Sequence, residues 1–474
     1  MLAVCLAWPS SAAEKRPQTL SGDVSLQRAV SFALKNNPEI LEALFEIERT
    51  RGQYIEVRAA ALPLVTATGT YRQEDKDLLE QTSRNLGTFQ SFGATSSDFN
   101  RGGDKTWRFA IETRQLLYSG GQVKSAITIA ENTTDAGHLA LRDTVERVIA
   151  LTRQQFYSIL LNRELIRVAE ESITLLAEEL KDQKNRFDAG TVPKFNVLRA
   201  EVELANARPE LIRAKNNHLL SLLDLAKTIG VSQPKTGRPP FDASGELRVV
   251  EHGWTIENAL ATAKRRRASL KVLERKVRSG AERVTIARAG GKPRLEANAG
   301  YELRNSRLTD DLSKEANGWY FGLQGSWNVF DSGATQGKII QAQADLGSAR
   351  LKQQDALQLV ELEVHRAFAR VREAKELIAS QMKVVEQADE ALRLAKERLA
   401  AGAGTQLDVL DARVALTRAR TTELQARYQY NAAVAEFDRS TGADTVYDDT
   451  FKDPAREKAK LKLRGTKALL RPAD

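Results

Sequence analysis

The 474-residue chain has one cysteine, Cys5, and only four histidines. It also lacks any apolar run of the roughly 20 residues that a membrane-crossing helix needs. A single cysteine excludes a disulfide framework and a cysteine-rich zinc site. His138, His218, His252 and His365 show no metal-ligand spacing among themselves. No Gly-rich phosphate loop follows a strand-like run, and no Ser/His/Asp set is suggested by position. The chain therefore offers no catalytic constellation, and neither a cofactor nor a metal is expected. Aromatic residues are scarce at 6%, against 42% apolar and 28% charged residues. That profile, rich in Ala, Leu, Arg, Glu and Gln, belongs to long helices. The net charge of +9 comes from 71 basic and 62 acidic residues. These alternate along the helical segments, which describes solvated coiled-coil faces rather than a nucleic-acid surface. The exception is the locally basic tail from Lys458 to Arg464.

What the chain has is a duplication. Tyr118 to Gly230 can be laid without a gap on Phe330 to Gly442, at an offset of 212 residues. Gly190 then falls on Gly402, Val197 on Val409 and Gly230 on Gly442. Upstream the offset is 230, with Ala29 on Ala259, Pro63 on Pro293 and Tyr71 on Tyr301. The difference is absorbed by a stretch of free length after Tyr71. Such a repeat sets the architecture. Each copy reads as short helix, helix, strand, loop, strand, very long helix, turn and helix. The organisation expected is a first repeat over 25–230, a linker over 231–255, a second repeat over 256–442 and a basic tail over 443–474.

Residues 1–13 read as an export signal, with a short apolar core from Leu2 to Trp8 and a small-x-small cleavage pattern at Ser11-Ala12-Ala13. Cys5 is alternatively a lipidation cysteine, although Val4 stands where a small residue is expected. Either way the chain leaves the cytoplasm without a spanning helix.

Strands offer another way across a bilayer. Trp319, Phe321, Leu323, Trp327 and Val329 alternate with Tyr320, Gln324, Ser326 and Asn328. In the other copy Trp107, Phe109, Ile111 and Leu117 alternate with Arg108, Glu112 and Arg114. Period-two alternation predicts strands, and an apolar face opposite a charged one suits lipid outside and water inside. Weaker alternation precedes each, placing strands near 64–72, 106–118, 294–304 and 318–330. A soluble hairpin on a helical core is the other reading. Four strands cannot close a barrel in lipid. Two copies would give eight strands around a filled interior, and three would give twelve around water.

The helical parts are plainer. Between Ser119 and Asp188 there is no proline, and apolar residues recur at three/four spacing. At 1.5 Å per residue, this and its counterpart from Gly333 to Ala401 are rods of roughly 100 Å. Each returns through a shorter helix, Lys194 to Ile229 and Leu407 to Thr441, the first expected to kink at Pro209.

The duplication resembles the TolC outer-membrane efflux family. The junctions Leu117-Tyr-Ser-Gly-Gly121 and Val329-Phe-Asp-Ser-Gly333 carry the likeness, as does the turn from Arg398 through Gly402 to Asp411. The resemblance covers about Ser25 to Gly442. It implies a mainly α protomer with a small β part: long coiled-coil helices plus four β-strands. Three protomers would form a homotrimer with a 12-stranded barrel in the outer-membrane lipid, over a periplasmic α-helical tunnel. The implied function is a passive exit duct serving a periplasmic adaptor and an inner-membrane pump or ABC exporter, for efflux or one-step (type I) protein secretion. The other class left open is a non-transport periplasmic coiled-coil protein.

Under this resemblance the lipid-facing residues are Trp107, Phe109, Trp319, Phe321 and Trp327. Asp408 and Asp411 match the family's constricting acids, and tripled they would form carboxylate rings that select cations. Helix-start acids favoured by the macrodipole are the plain alternative. In the first copy the same positions hold Asn196 and Arg199. The family's charge pair between the turns would fall on Gly404 and Asn196, so it is absent, with Arg199 nearby as a substitute. The turns themselves, with Arg186, Phe187 and Gly190, and Arg398, Leu399 and Gly402, are the expected adaptor-docking site.

Overall fold

A computed structural model of the chain describes residues 20–73, 75, 105–231, 237–250, 252–305 and 315–443. The export segment with Cys5, most of the variable stretch after Tyr71, Pro234 and the basic tail after Ala443 lie outside the described residues.

A short strand β1 (Gly22–Val24) precedes the first repeat, which runs α1 (Leu26–Asn36), α2 (Pro38–Ala59), β2 (Leu64–Gln73), β3 (Lys105–Tyr118), α3 (Gln122–Asp188) and α4 (Lys194–Thr228). After the linker strand β4 (Phe241–Ala243) come α5 (Ile256–Arg266), α6 (Ala268–Ala289), β5 (Arg294–Asn305), β6 (Glu315–Ser326), α7 (Ala334–Ala400) and α8 (Gln406–Thr441). The long helices α3 and α7 are 67 residues each. Two compact units form: one from Met1–Phe45, His138–Lys271 and Gln354–Asp474, the other from Glu46–Gly137 and Val272–Gln353. Each unit takes pieces from both repeats.

Local chemistry recurs with the repeat. The Ser25 hydroxyl accepts the Arg28 amide to start α1, and the Thr255 hydroxyl accepts the Asn258 amide to start α5. Before the long helices, Ser119 Oγ accepts the Val123 amide at 3.3 Å, and the Asp331 carboxylate accepts Gly333 and Thr335 amides at 3.1 and 2.8 Å. The Thr335 side chain and amide, by bonding it, hold that carboxyl below its usual range. The residue after each cap is left-handed: Gly120 at φ 62° and Ser332 at φ 54°. Gly120 needs its missing side chain, because a Cβ there would lie 2.8 Å from that of Lys292.

Pro209 does not end α4, which runs through it from Lys194 to Thr228. The carbonyl it leaves without a donor, that of Ala205, lies on an exposed side of the helix where water can take it. Core residues follow helical stripes: Leu141, Val145, Val148, Thr152, Phe156 and Ile159 on α3 are buried, and Val360, Val364 and Ala367 on α7 pack with Phe437 of α8. The linker supplies an element that alternation did not reveal. Its strand β4 pairs in parallel with β1 over three residues.

The second unit holds an antiparallel sheet of order β2-β3-β5-β6. The two repeats therefore meet at β3 and β5, and β2 and β6 are its edges. β6 spans Glu315–Ser326 rather than reaching Phe330. Arg294 pairs with Ser326 as the last rung. The next partner would be Pro293, which has no N–H to give. Trp327 instead donates its indole N–H to the Gly291 carbonyl at 3.0 Å.

Candidate functional site

Three places gather the residues singled out by the sequence. The first is the sheet. Register places Tyr71 beside Trp107, Phe109 beside Leu303, Ile111 beside Tyr301, Tyr301 beside Trp319 and Ala299 beside Phe321, all on one face. Trp319 is 80% exposed and Phe321 63%, with Trp327 just past the strand at 60%. The opposite face carries Arg108, Glu112, Arg114, Glu296, Glu302 and Arg304. Arg108 reaches Glu302 across the strands at 2.7 Å. On that face Gly300 leaves room for Tyr320, whose ring would lie 2.8 Å from a Cβ placed there. Asn305 was not anticipated. It is 2% exposed, accepts the Trp107 amide at 2.8 Å and donates to the Lys105 carbonyl at 2.8 Å, extending the ladder by side chain.

The second place is the pair of reversals joining each long helix to its return. In both, the glycine is left-handed: Gly190 at φ 75° and Gly402 at φ 72°. The hydrogen bonds match as well. Gly190 N donates to Phe187 O and Thr191 N to Arg186 O, while Gly402 N donates to Leu399 O and Ala403 N to Arg398 O. This is the two-bond helix stop that glycine favours. A Cβ on either glycine would meet open space, so only φ resists substitution. Arg186 pairs with Asp182 at 2.8 Å, Phe187 is 41% exposed, and Arg398 donates to the Ala403 carbonyl at 3.2 Å. Leu399, by contrast, packs against the cluster of Leu392, Val409 and Leu416.

The acidic residues follow at once. Asp408 closes a capping box: its carboxylate accepts the Thr405 amide at 2.8 Å, and Thr405 Oγ1 accepts the Asp408 amide at 3.3 Å. The Thr405 backbone and side chain, by bonding it, hold the exposed Asp408 carboxyl below its usual value. Asp411 is exposed and takes no part in the box. The first copy differs, since α4 starts at Pro193 with no side-chain cap.

The third place is a cavity of about 230 Å³ beside these turns. It brings together Asn196 and Arg199 of α4, Glu179 and Gln183 of α3, and Gln406 and Leu410 of α8. Gln406 and Gln183 both donate to Glu179. Arg413, 8% exposed, reaches the Leu175 carbonyl at 3.3 Å and Glu179 at 3.8 Å. Arg199 thus lies with α8 residues, yet neither Asp408 nor Asp411 lines this cavity. Sequence reading passed over Glu179, Gln183 and Arg413. Their signal was a polar side chain at an apolar stripe position, as Arg413 stands between Val409 and Leu416.

Among the described residues no group of acids, histidines and cysteines could hold a metal, and no helix is long and apolar enough to cross a membrane. The "Outer membrane efflux protein" family model matches residues 29–231 and again 259–443. Those limits are offset by 230 at the start and 212 at the end, as in the repeat. Outer membrane protein OprJ of Pseudomonas aeruginosa is 24% identical over 425 residues, covering 86% of this chain and 83% of that protein. Cation efflux system protein CusC of Escherichia coli O157:H7 is 20% identical over 423 residues, covering 87% and 84%. The CmeC outer membrane channel of Campylobacter jejuni shares the fold at TM-score 0.76 and 16% identity, over 88% of this chain and 85% of that one. Sequence, fold and repeat boundaries converge: the chain belongs to the outer membrane efflux protein family, channels of the Gram-negative outer membrane and not enzymes.

Proposed function

We propose that three copies of this chain close a twelve-stranded barrel and act as the passive exit duct of a tripartite efflux pump. One observation carries the reading: a four-stranded sheet with an exposed aromatic face, a charged opposite face and two edges. In lipid, open edges leave backbone groups unsatisfied at several kcal/mol each, so the sheet has to be continued by other copies. Twelve strands is an even number that leaves a polar, water-filled interior. Trp107, Phe109, Trp319, Phe321 and Trp327 then face lipid, and Arg108, Glu112 and Glu302 face water. A non-transport coiled-coil protein would have no use for exposed tryptophans on a sheet. The names of the relatives favour efflux over protein secretion, because CusC is described as part of a cation efflux system.

In this reading the reversals at Gly190 and Gly402 receive a periplasmic adaptor, with Arg186, Phe187, Arg398 and Leu399 around them, and an inner-membrane pump lies beyond. Asp411, with Asp408 beside it, supplies the carboxylate ring of the periplasmic mouth. The expected result is a trimer of inserted chains by mass measurement in detergent, with conductance in planar bilayers that favours cations. A conducting monomer would overturn the assembly. Asp408→Ala combined with Asp411→Ala is expected to lower cation preference at low ionic strength, where screening is weakest, and an unchanged preference would remove the ring.

A further inference from the structure

The cavity beside the reversals holds a polar group that the fold leaves unused. Gln183 is 2% exposed, and its amide Nε2 donates to the Glu179 carboxylate at 2.9 Å. Turning that amide over would set oxygen against oxygen, so Oε1 is its free end. Gln183 lines the cavity, and its Oε1 has no hydrogen-bond partner. A buried oxygen of this kind calls for a donor. Helix α4 brings three more unused groups to the same space, the side chains of Asn196, Arg199 and Glu203. Among the described residues none of the three has a hydrogen-bond or ion-pair partner for its side chain. Arg199 and Glu203 stand four apart with the base first, the less favourable order for pairing on a helix. Leu176, Ala200, Leu407 and Leu410 supply apolar wall. The fold does not demand the polar set, because the repeat places Ala395 at the position of Gln183 and Ala415 at that of Glu203.

We infer that this cavity is a binding site for a small zwitterion with an apolar body, of the class of aliphatic α-amino acids. Gln183 Oε1 and the Glu203 carboxylate are acceptors in want of donors, and they take the ammonium. The Arg199 guanidinium and the Asn196 amide take the carboxylate, which a guanidinium fork matches with two parallel bonds. A simple cation fits less well. Glu179 already has Arg413 at 3.8 Å, and Arg199 adds a second positive charge, so the two acids of the site face two bases. A simple anion fits less well too, since it leaves the buried Gln183 oxygen without a donor. An apolar cavity of about 150 Å³ holds benzene, so about 230 Å³ admits a branched aliphatic chain with its two charged ends. Apolar walls with a few convergent polar groups are the usual make-up of a small-molecule site. The bound zwitterion joins α3 to α4, whose own start has no side-chain cap. All of these residues belong to one chain and one compact unit, so the site does not depend on the duct proposed above.

The test is calorimetric titration of the purified full chain, in detergent, with L-leucine, and the expected result is binding at one site per chain. Two further probes dissect the site: 3-methylbutylamine, which is leucine without its carboxylate, and 4-methylpentanoate, which is leucine without its ammonium. Each is expected to bind weaker than leucine by about tenfold or more. Arg199→Gln and Glu203→Gln change half-buried side chains that have no bond to lose, so both variants should fold. Arg199→Gln should weaken leucine while leaving the amine as it was, and Glu203→Gln should weaken leucine while leaving 4-methylpentanoate as it was. No leucine binding at millimolar concentration overturns the site. Either probe binding as tightly as leucine overturns the zwitterion, and leucine affinity unchanged in both variants places the binding elsewhere and overturns the assignment. Each of these failures leaves the duct standing, because the oligomeric mass and the conductance are read separately.

Discussion

Where each return helix ends, the chain meets the break between the two short helices of its own repeat, and the two copies solve this meeting differently. In the first, Asn37 donates to the Thr228 carbonyl at 2.6 Å and accepts the Ile40 amide at 3.1 Å, closing α4 and opening α2 with one amide. In the second, the equivalent Arg267 donates to the Arg439 and Ser440 carbonyls at 3.1 and 3.4 Å and pairs with Glu363 at 2.8 Å. Thr228 and Ser440 are the same position in the repeat. The backbone task has been kept while its chemistry changed from a neutral amide to a buried guanidinium. The change goes with a partner: Glu363 in the second copy stands where the first has Leu151. A buried charge is tolerable only when paired, so the guanidinium belongs to the copy that has the carboxylate.

The glycines beyond these ends break the comparison most sharply. Gly230 and Gly442 are both left-handed, at φ 75° and 63°. A Cβ on Gly230 would lie 2.2 Å from the Asn36 carbonyl oxygen, whereas one on Gly442 would meet its nearest neighbour at 3.4 Å. Gly230→Ala adds a backbone clash to the left-handed strain and is expected to cost about 4 kcal/mol. Gly442→Ala carries the strain with ordinary contact and should cost about 1 kcal/mol. Thermal unfolding of the two variants side by side checks this, and equal losses would show that the two ends are not packed differently.

Next in size are the two stopping side chains. Arg267→Ala leaves Glu363 without its partner and two helix-end carbonyls without a donor, a loss of about 3 kcal/mol. Asn37→Ala removes one cap and one carbonyl bond, about 1–2 kcal/mol. Chemical denaturation can rank them, and a larger loss from Asn37→Ala would reverse the view of Arg267 as the more committed stop.

How much of this was legible in the sequence depends on whether the signal is periodic. The strands, the long helices and their returns follow from repeated apolar spacing, and the positive φ of Gly190 and Gly402 follows from a glycine at a reversal. The end of β6 was misplaced because the Trp327–Val329 alternation continues past the point where Pro293 removes the partner amide. Short elements such as β1 and β4 bury too few residues to show a period. Polar side chains acting across repeats, such as Glu179 and Arg413, leave only a charge out of place on an apolar stripe. The capping box at Thr405 was readable from its spacing, but the acid was read as a helix-start charge or a pore acid.

A subtler difference involves Glu146 of α3, which is 1% exposed and also feels the Arg267 charge. Burial pushes its carboxyl up from the ordinary value, against the Arg142 bond at 3.0 Å that pulls it down. A carboxyl whose folded value is raised disfavours folding once ionised, so its penalty is absent below about pH 4.5 and grows as pH rises through the folded value. Glu146→Gln should therefore raise the melting temperature at pH 7, with the gain shrinking as pH falls toward 4.5. A gain equal at both pH values would mean that charge is not the cause. The equivalent position in the other repeat already holds a neutral residue, Gln358.

The smallest effect separates the two reversals. The α8 start has the Thr405–Asp408 box, and the α4 start at Pro193 has no side-chain cap. Asp408 has a depressed carboxyl value in the folded chain. Its contribution is thus present above the ordinary value of 3.8 and is lost only as pH falls through the depressed one. Asp408→Ala is expected to speed amide exchange over the first turn of α8, from Thr405 to Leu410, at neutral pH, and to leave the first turn of α4 unchanged. Asp411→Ala, outside the box, should leave both turns unchanged while sharing in any loss of cation preference. The two acids then divide the work, Asp408 fixing the helix start and Asp411 presenting charge. Exchange unaltered by Asp408→Ala, together with a loss of cation preference from that change alone, would assign the pore charge to Asp408 and leave the box without mechanical weight.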